Sequence, residues 1–279
     1  MQAIIGFLRR NSGQFQLLLD SGFTSNHVTE FAEALNYSNL PSVDLFLERR
    51  QAFLEVGKAA IALVLIPSET LAVFDRANGL YCWYQYLWER LDAPLDQFSE
   101  NKLSVVTFNY DRSLEHSLFL SLKHTYGLSD EQAAEHLQTV PIIHVYGELN
   151  ELPYLQPSGR PYDPQISPEI IRKCASAMTI LHEGQEDSPQ FSRARKLLME
   201  ASTICFLGFG YHPTNIWRLG LKTMAAMRSY PKVWGTTLGL TRAECVEIQK
   251  LLPWPMHGEF GVSTDRKIVD YLRENSILG

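Results

Sequence analysis

Thr107-Phe108-Asn109-Tyr110-Asp111 puts an amide and a carboxylate two residues apart, at the end of the apolar run Leu103-Ser104-Val105-Val106. An apolar run bounded by polar residues reads as a buried parallel strand, and it delivers Asn109 and Asp111 to the carboxyl edge of a sheet. Open α/β sheets bind their ligands at that edge. Asn and Asp also turn a chain well, here before a helix expected over residues 113–123, so these two side chains alone fit either role. Two more strand ends of the same character, residues 142–147 and 204–210, add weight to a ligand site.

Gly208-Phe209-Gly210-Tyr211-His212-Pro213-Thr214-Asn215 follows an expected strand and opens an expected helix. Glycines there let backbone N–H groups approach a ligand, and a helix start offers unpaired donors suited to a phosphate. Strand-to-helix turns also use glycine for geometry alone. The loop Gly235-Thr236-Thr237 brings small and hydroxyl groups that fit a ribose or phosphate contact, or a closed turn. His144 and Tyr146 lie two apart on one expected strand and so share a face, with Gly147 turning the chain at once. Either can act on a ligand or sit satisfied in the core, and the core reading also covers His116, His124, His182 and His257. Neither a G-x-S-x-G elbow nor an H-E-x-x-H spacing occurs, and no metal is expected.

The framework for these residues falls into two parts. Residues 1–100 read as mainly helical. From an N-cap at Ser42, the positions Val43, Phe46, Leu47, Phe53, Val56, Ala60 and Leu63 keep helical spacing until Pro67. A second helix is expected from Glu69 through Trp88. Its end, Trp83, Tyr84, Tyr86, Leu87 and Trp88, either packs in the core or stacks on a base. Residues 4–10 are the one early strand candidate. From residue 101 strands at 103–108, 142–146, 203–207 and 232–234 alternate with helices near 113–123, 130–137, 169–181, 190–201 and 215–227. Thr241 with Glu244 three residues on reads as a capping box that opens one more. That order predicts an α/β fold, a doubly wound parallel sheet over residues 101–279, integrated with the helical module.

The 279 residues are 45% hydrophobic with a formal net charge of -6 and a pI near 5.8, which suits a globular protein with a sizeable core. No Lys/Arg block exceeds a pair, which argues against general nucleic-acid or membrane-surface binding. Cys82, Cys174, Cys205 and Cys245 are far apart and form no C-x-x-C pair, so they read as reduced, buried thiols in a cytoplasmic protein. No signal peptide is expected, because Arg9-Arg10 follows the short apolar stretch at the start instead of preceding it. The apolar run 59–66 is far short of a membrane span.

Taken together, these motifs resemble the SIR2-like domains, relatives of sirtuins that include many bacterial NAD-cleaving defence effectors. Thr107, Asn109, Tyr110 and Asp111 match the family's T-x-N-[IY]-D motif, and Leu114-Glu115 is similar to the family's residues just after that motif. Ile143-His144-Val145-Tyr146-Gly147-Glu148-Leu149 resembles the strand with the family's H-G motif. The stretch from Leu207 to Asn215 resembles the later glycine loop, and Trp234-Gly235-Thr236-Thr237 the last nucleotide-contacting strand end. Two departures stand out. The family opens with a G-A-G-x-S-type phosphate loop that residues 4–10 do not lead into, so either the reading frame starts late or the pyrophosphate cradle is lost. The family's catalytic histidine directly precedes the glycine, where this chain has Tyr146, a poor base given its ordinary pKa near 10. The zinc-binding cysteines of deacetylating sirtuins are also missing.

The resemblance implies a Rossmann-like core and NAD, or an ADP-ribose-type nucleotide, as substrate or ligand. It also implies an ancestral NAD glycohydrolase activity, impaired here, in anti-phage defence, with a homo-oligomer or associated defence proteins as partners. In that mechanism Asn109 orients the attacking water or the ribose, and Asp111 stabilises the oxocarbenium charge or fixes Asn109. His144 or Tyr146 contacts the ribose hydroxyls. Nucleotide contacts fall to Thr107, Gly147, Gly208, Gly210, Asn215, Gly235 and Thr236. The competing reading is a non-catalytic nucleotide-sensing or protein-interaction module that keeps the fold and has lost the chemistry.

Overall fold

The structure, a computed structural model, describes residues 2–8, 12–75, 82–180, 188–226, 230–258, 260–261 and 266–278. The chain is α/β and mostly helical. It divides into two compact units, Met1–Asn78 with Val106–Glu186, and Gly79–Val105 with Asp187–Gly279.

The first unit opens with α1 (Gln2–Phe7), α2 (Gly13–Asp20), α3 (Ser25–Tyr37), α4 (Val43–Arg49) and α5 (Leu54–Leu65). Ser12, Thr24 and Ser42 accept from the backbone N–H groups of Phe15, His27 and Leu45, each satisfying a donor that a helix start leaves unpaired. The early strand candidate is helical instead. Ile4 and Leu8, one helical turn apart, are both buried, while Arg9 and Arg10 lie outside the described residues.

The helical run from Ser42 to Pro67 is broken. Arg50, at φ -122° and ψ 68°, leaves the helical region, and the Gln51 side chain donates to the Leu47 and Glu48 carbonyls that α4 would otherwise leave open. A 3₁₀ turn, Gln51–Phe53, then leads into α5. Residues Val56 to Leu63 of α5 are all buried, and the rings of Phe31, Phe46 and Phe53 cluster at centroid distances of 5.8 to 6.0 Å. Gln51–Ser68 is the one helical stretch among the described residues long and apolar enough to cross a membrane, and half of it is buried in this core.

β1 (Val105–Thr107) and β2 (Ile142–His144) form a two-stranded parallel sheet, with the Val145 N–H donating to the Thr107 carbonyl at 3.0 Å. β1 is half-buried where full burial was expected, because the sheet has two strands and both are edges. Between the strands run α7 (Ser113–Tyr126), ended by Gly127 at φ 67°, and α8 (Asp130–Leu137), opened by a Ser129–Gln132 capping box. After the proline-rich loop, α9 (Pro168–Ala177) packs on α5. Leu181, the expected end of that helix, lies outside the described residues.

The helix expected from Glu69 to Trp88 is not continuous. Glu69 leaves the helical region at ψ 75°, a 3₁₀ turn covers Leu71–Val73, and residues 76–81 lie outside the described residues. Helix resumes in the second unit as α6 (Trp83–Leu91). Its aromatic end is core: Tyr86 and Trp88 are buried, Trp88 lies 5.9 Å from Phe98, and the Tyr86 hydroxyl donates to the Leu272 carbonyl at 3.1 Å.

The second unit adds α10 (Pro189–Glu200), α11 (Pro213–Arg218), α12 (Arg242–Leu251) and α13 (Ile268–Asn275) around β3 (Thr203–Phe206) and β4 (Lys232–Gly235). β3 and β4 are parallel, with Cys205 opposite Trp234 and Phe206 opposite Gly235. α12 starts at the expected capping box, the Glu244 N–H donating to Thr241 Oγ1 at 3.3 Å and the Thr241 N–H to Glu244 at 2.7 Å. The helix expected over 215–227 is shorter and starts two residues earlier. It spans Pro213–Arg218, a 3₁₀ segment Leu221–Ala226 comes next, and Met227 lies outside the described residues. The described strands form two separate two-stranded parallel sheets, β1 with β2 and β3 with β4.

Candidate functional site

In the first unit the loop after β1 is held from inside. Thr107 Oγ1 accepts from the Asn109 N–H at 3.1 Å, a local turn that a β-strand threonine makes readily. Tyr110 is 6% exposed and its hydroxyl donates to Asp44 on α4, while Arg112 is fully buried. Burial pushes the Asp44 carboxyl up and the Tyr110 phenol well up, so the phenol keeps its proton and the bond its direction. Asn109, just before Tyr110, is exposed, and Asp111, between Tyr110 and Arg112, is half-exposed. Asp111 Oδ1 accepts from the Ser113 N–H at 3.3 Å, the turn role open to an Asp at a helix start.

Arg112 explains why the loop cannot drift. Its guanidinium donates Nε and Nη2 to both oxygens of Glu69 at 2.9 and 2.6 Å, a bidentate pairing. Nη1 donates to the carbonyls of Asn150 and Arg160 at 2.9 and 2.8 Å, and Nη2 also to Pro161 at 3.1 Å. Glu69 receives Arg160 as well. One carboxylate thus sits between two buried guanidinium groups and ties the loops after β1 and β2 together. The same bonds take Glu69 out of its expected helix.

His144, at the end of β2, is 8% exposed. Its Nδ1 lies 2.8 Å from the Asn109 carbonyl and its Nε2 2.5 Å from Glu115 Oε1. A carbonyl can only accept, so Nδ1 carries a proton. Burial alone favours the neutral ring, but the hydrogen bond and charge of Glu115, with Glu148 and the Asn109 carbonyl, outweigh it and raise the pKa to about 9. Both ring nitrogens are engaged within the protein. Glu148 is half-buried, and burial pushes its carboxyl up, with His144 opposing and Glu115 reinforcing.

Tyr146 is 7% exposed and meets Phe108 edge-on at 5.6 Å. Its carbonyl accepts from the Thr179 N–H at 2.7 Å, which brings the chain after α9 alongside. Gly147 has φ +76°, and a Cβ there would run into the Ala177 carbonyl oxygen, so this glycine is needed for the turn itself.

The remaining expected residues belong to the second unit. Thr236 is buried. Its Oγ1 accepts from the Gly208 N–H at 2.8 Å and donates to the Phe206 carbonyl at 3.4 Å, closing the ends of β3 and β4 on each other. Over Gly235 lies the hydroxyl of Tyr211, where a Cβ would overlap it; that hydroxyl donates to the Thr236 carbonyl at 3.2 Å. The Gly235 N–H donates to the Tyr271 hydroxyl at 2.9 Å. Gly210 has open space at its Cα. Asn215 lies inside α11, whose cap is His212, accepting from the Thr214 N–H at 3.4 Å; with six residues that helix provides little dipole for a phosphate.

The structure therefore joins Thr107, Asn109 and His144 in one bonded group, and Gly208 and Thr236 in another, with Gly235 bonded to Tyr271. Sequence reasoning missed Glu115, Arg112, Glu69 and Arg160. Glu115 was findable: it lies on the stripe Leu114, Leu118, Phe119 and Leu122 of α7, all buried, where a carboxylate calls for a partner. His116 is the core histidine expected, stacked on Tyr162 at 4.3 Å, with burial and Arg112 lowering its pKa to about 4. His182 lies outside the described residues. Among the described residues no group of three His, Cys, Asp or Glu side chains is placed to hold a metal. No family model, no curated protein and no solved structure matches this chain.

Proposed function

We propose that this chain binds an NAD-type nucleotide at the Thr107–Asp111 loop, in the manner of SIR2-like domains, and that its ancestral glycohydrolase chemistry is impaired. A Rossmann-like doubly wound core is part of the same reading, with the β1–β2 and β3–β4 pairs as its strands, as are a cytoplasmic setting and a role in defence. The observation that carries it is the contrast along one loop. Tyr110 and Arg112 are buried and engaged, while Asn109, immediately before Tyr110, is exposed on a backbone bonded at both its N–H and its carbonyl. An amide fixed in this way can meet a ribose hydroxyl or an attacking water without paying to be ordered. Asp111 is the neighbouring negative charge for a developing oxocarbenium ion. His144 is left no free ring nitrogen for a ribose, and it supports the loop instead.

One observation favours the non-catalytic module as a second reading: the hydroxyls and turns at the ends of β3 and β4 are spent on Tyr211, Thr236 and Tyr271. Nicotinamide release from NAD separates the two. Impaired catalysis predicts a slow release that Asn109→Ala abolishes. The module reading predicts none, and release undiminished by Asn109→Ala refutes the assignment of Asn109.

A further inference from the structure

With both ring nitrogens of His144 engaged, the Glu115–His144 pair is not ligand-facing, and it joins three separate elements. Glu115 stands on α7, His144 ends β2, and the accepting carbonyl of Asn109 belongs to the loop after β1. Both side chains are buried, and Glu115 Oε2 is buried with no hydrogen-bond partner among the described residues. The carboxylate therefore puts its bonding into one short contact with the ring. A ring with one proton can serve the Asn109 carbonyl through Nδ1 or donate to Glu115 through Nε2, and only the doubly protonated ring does both at once while Glu115 is ionised.

We propose that Glu115 and His144 are positioning residues for Asn109: the carboxylate keeps the ring in its doubly donating form, and the ring clamps the Asn109 carbonyl so that the Asn109 amide stays presented at the end of β1. This rests on Asn109 as the ligand-facing residue, but the clamp itself is a property of the empty loop. The groups facing the ring are Glu115 from α7, Glu148 from the turn after β2 and the Asn109 carbonyl, with Arg112 acting on Glu148. Removing the Glu115 charge leaves burial unopposed except by Glu148 and the carbonyl, so the ring turns neutral and keeps one bond or the other.

The test combines histidine ring-nitrogen NMR, amide hydrogen exchange and titration with ADP-ribose, on the whole chain and on Glu115→Gln and His144→Gln. In the unsubstituted protein both nitrogens of His144 are expected to be protonated at pH 7.5, with a midpoint near 9. Glu115→Gln is expected to drop that midpoint below neutrality and to speed exchange of the Asn109 to Asp111 amides roughly tenfold relative to the α5 core. A purely structural pair would move both regions together. A single-proton His144 ring at pH 7.5 in the unsubstituted protein overturns the proposal even if Glu115→Gln fails to fold, and so does unchanged loop exchange in a folded Glu115→Gln. If the ring and the loop behave as expected but ADP-ribose does not bind, the nucleotide reading fails and the clamp stands.

Discussion

Gly235 discriminates between a glycine kept for a ligand and a glycine kept for its neighbour. A Cβ at this position would overlap the Tyr211 hydroxyl and press on the mobile end of Met256, which can swing away, whereas Tyr211 is 2% exposed and cannot. Gly235→Ala should therefore destabilise the second unit by about 1–3 kcal/mol through overpacking. Tyr211→Phe gives up a 3.2 Å bond to the Thr236 carbonyl and should cost about 1 kcal/mol. Made together, the two changes relieve each other, because Phe leaves room for the new methyl group. The double variant should come out on the order of 1 kcal/mol more stable than the sum of the singles. Urea unfolding followed by tryptophan fluorescence reports this unit alone, since Trp83, Trp88, Trp217, Trp234 and Trp254 all fall within it. Strict additivity, or a neutral Gly235→Ala, would show that Tyr211 is not why position 235 lacks a side chain.

Arg112→Met strands the Glu69 carboxylate with one cation and leaves the Asn150, Arg160 and Pro161 carbonyls without this donor, so a loss of about 3–5 kcal/mol in urea unfolding by circular dichroism is expected, and a loss under about 1 kcal/mol contradicts the anchor. Stability should peak near neutrality. His144 has its folded pKa raised to about 9, so its contribution, roughly 3 kcal/mol, is complete below about pH 6.5 and lost as pH rises through 9. His116, lowered to about 4, works the other way: the unfolded ring gains a proton first, and a comparable amount is lost as pH falls from about 6.5 through 4. Unfolding across pH should show His144→Gln erasing the alkaline slope and His116→Phe the acid one; a slope that survives its own substitution refutes that assignment.

What the sequence revealed was mostly local. The Ser42 and Thr241 caps depend on residues three apart and were legible as such. The strand after Lys102 and the turn at Gly147 were also legible, because apolar runs and glycine punctuate a chain without reference to the rest of it. The helix at residues 2–7 was misread from its apolar content, although Ile4 and Leu8 already carried the helical spacing. Glu69 could not be placed, because its conformation is set by Arg112 and Arg160, 43 and 91 residues away. The same distance in sequence hid the clamp on Asn109: nothing local tells His144 to seek a carbonyl 35 residues back. At the ends of β3 and β4 the glycines differ: Gly210 has open space at its Cα, whereas Gly235 lacks the room for a side chain. What approaches Gly235 is the protein's own Tyr211, visible only once the chain has folded.

The central claim is that Asn109 faces an NAD-type nucleotide, and isothermal titration with ADP-ribose tests it most directly. Without a glycine-rich phosphate loop in these residues, binding should be weak, with a Kd of about 0.1–1 mM, and Asn109→Ala should weaken it at least about tenfold while leaving the unfolding midpoint unchanged. Binding that survives Asn109→Ala undiminished, or no heat at millimolar ADP-ribose, would contradict the account.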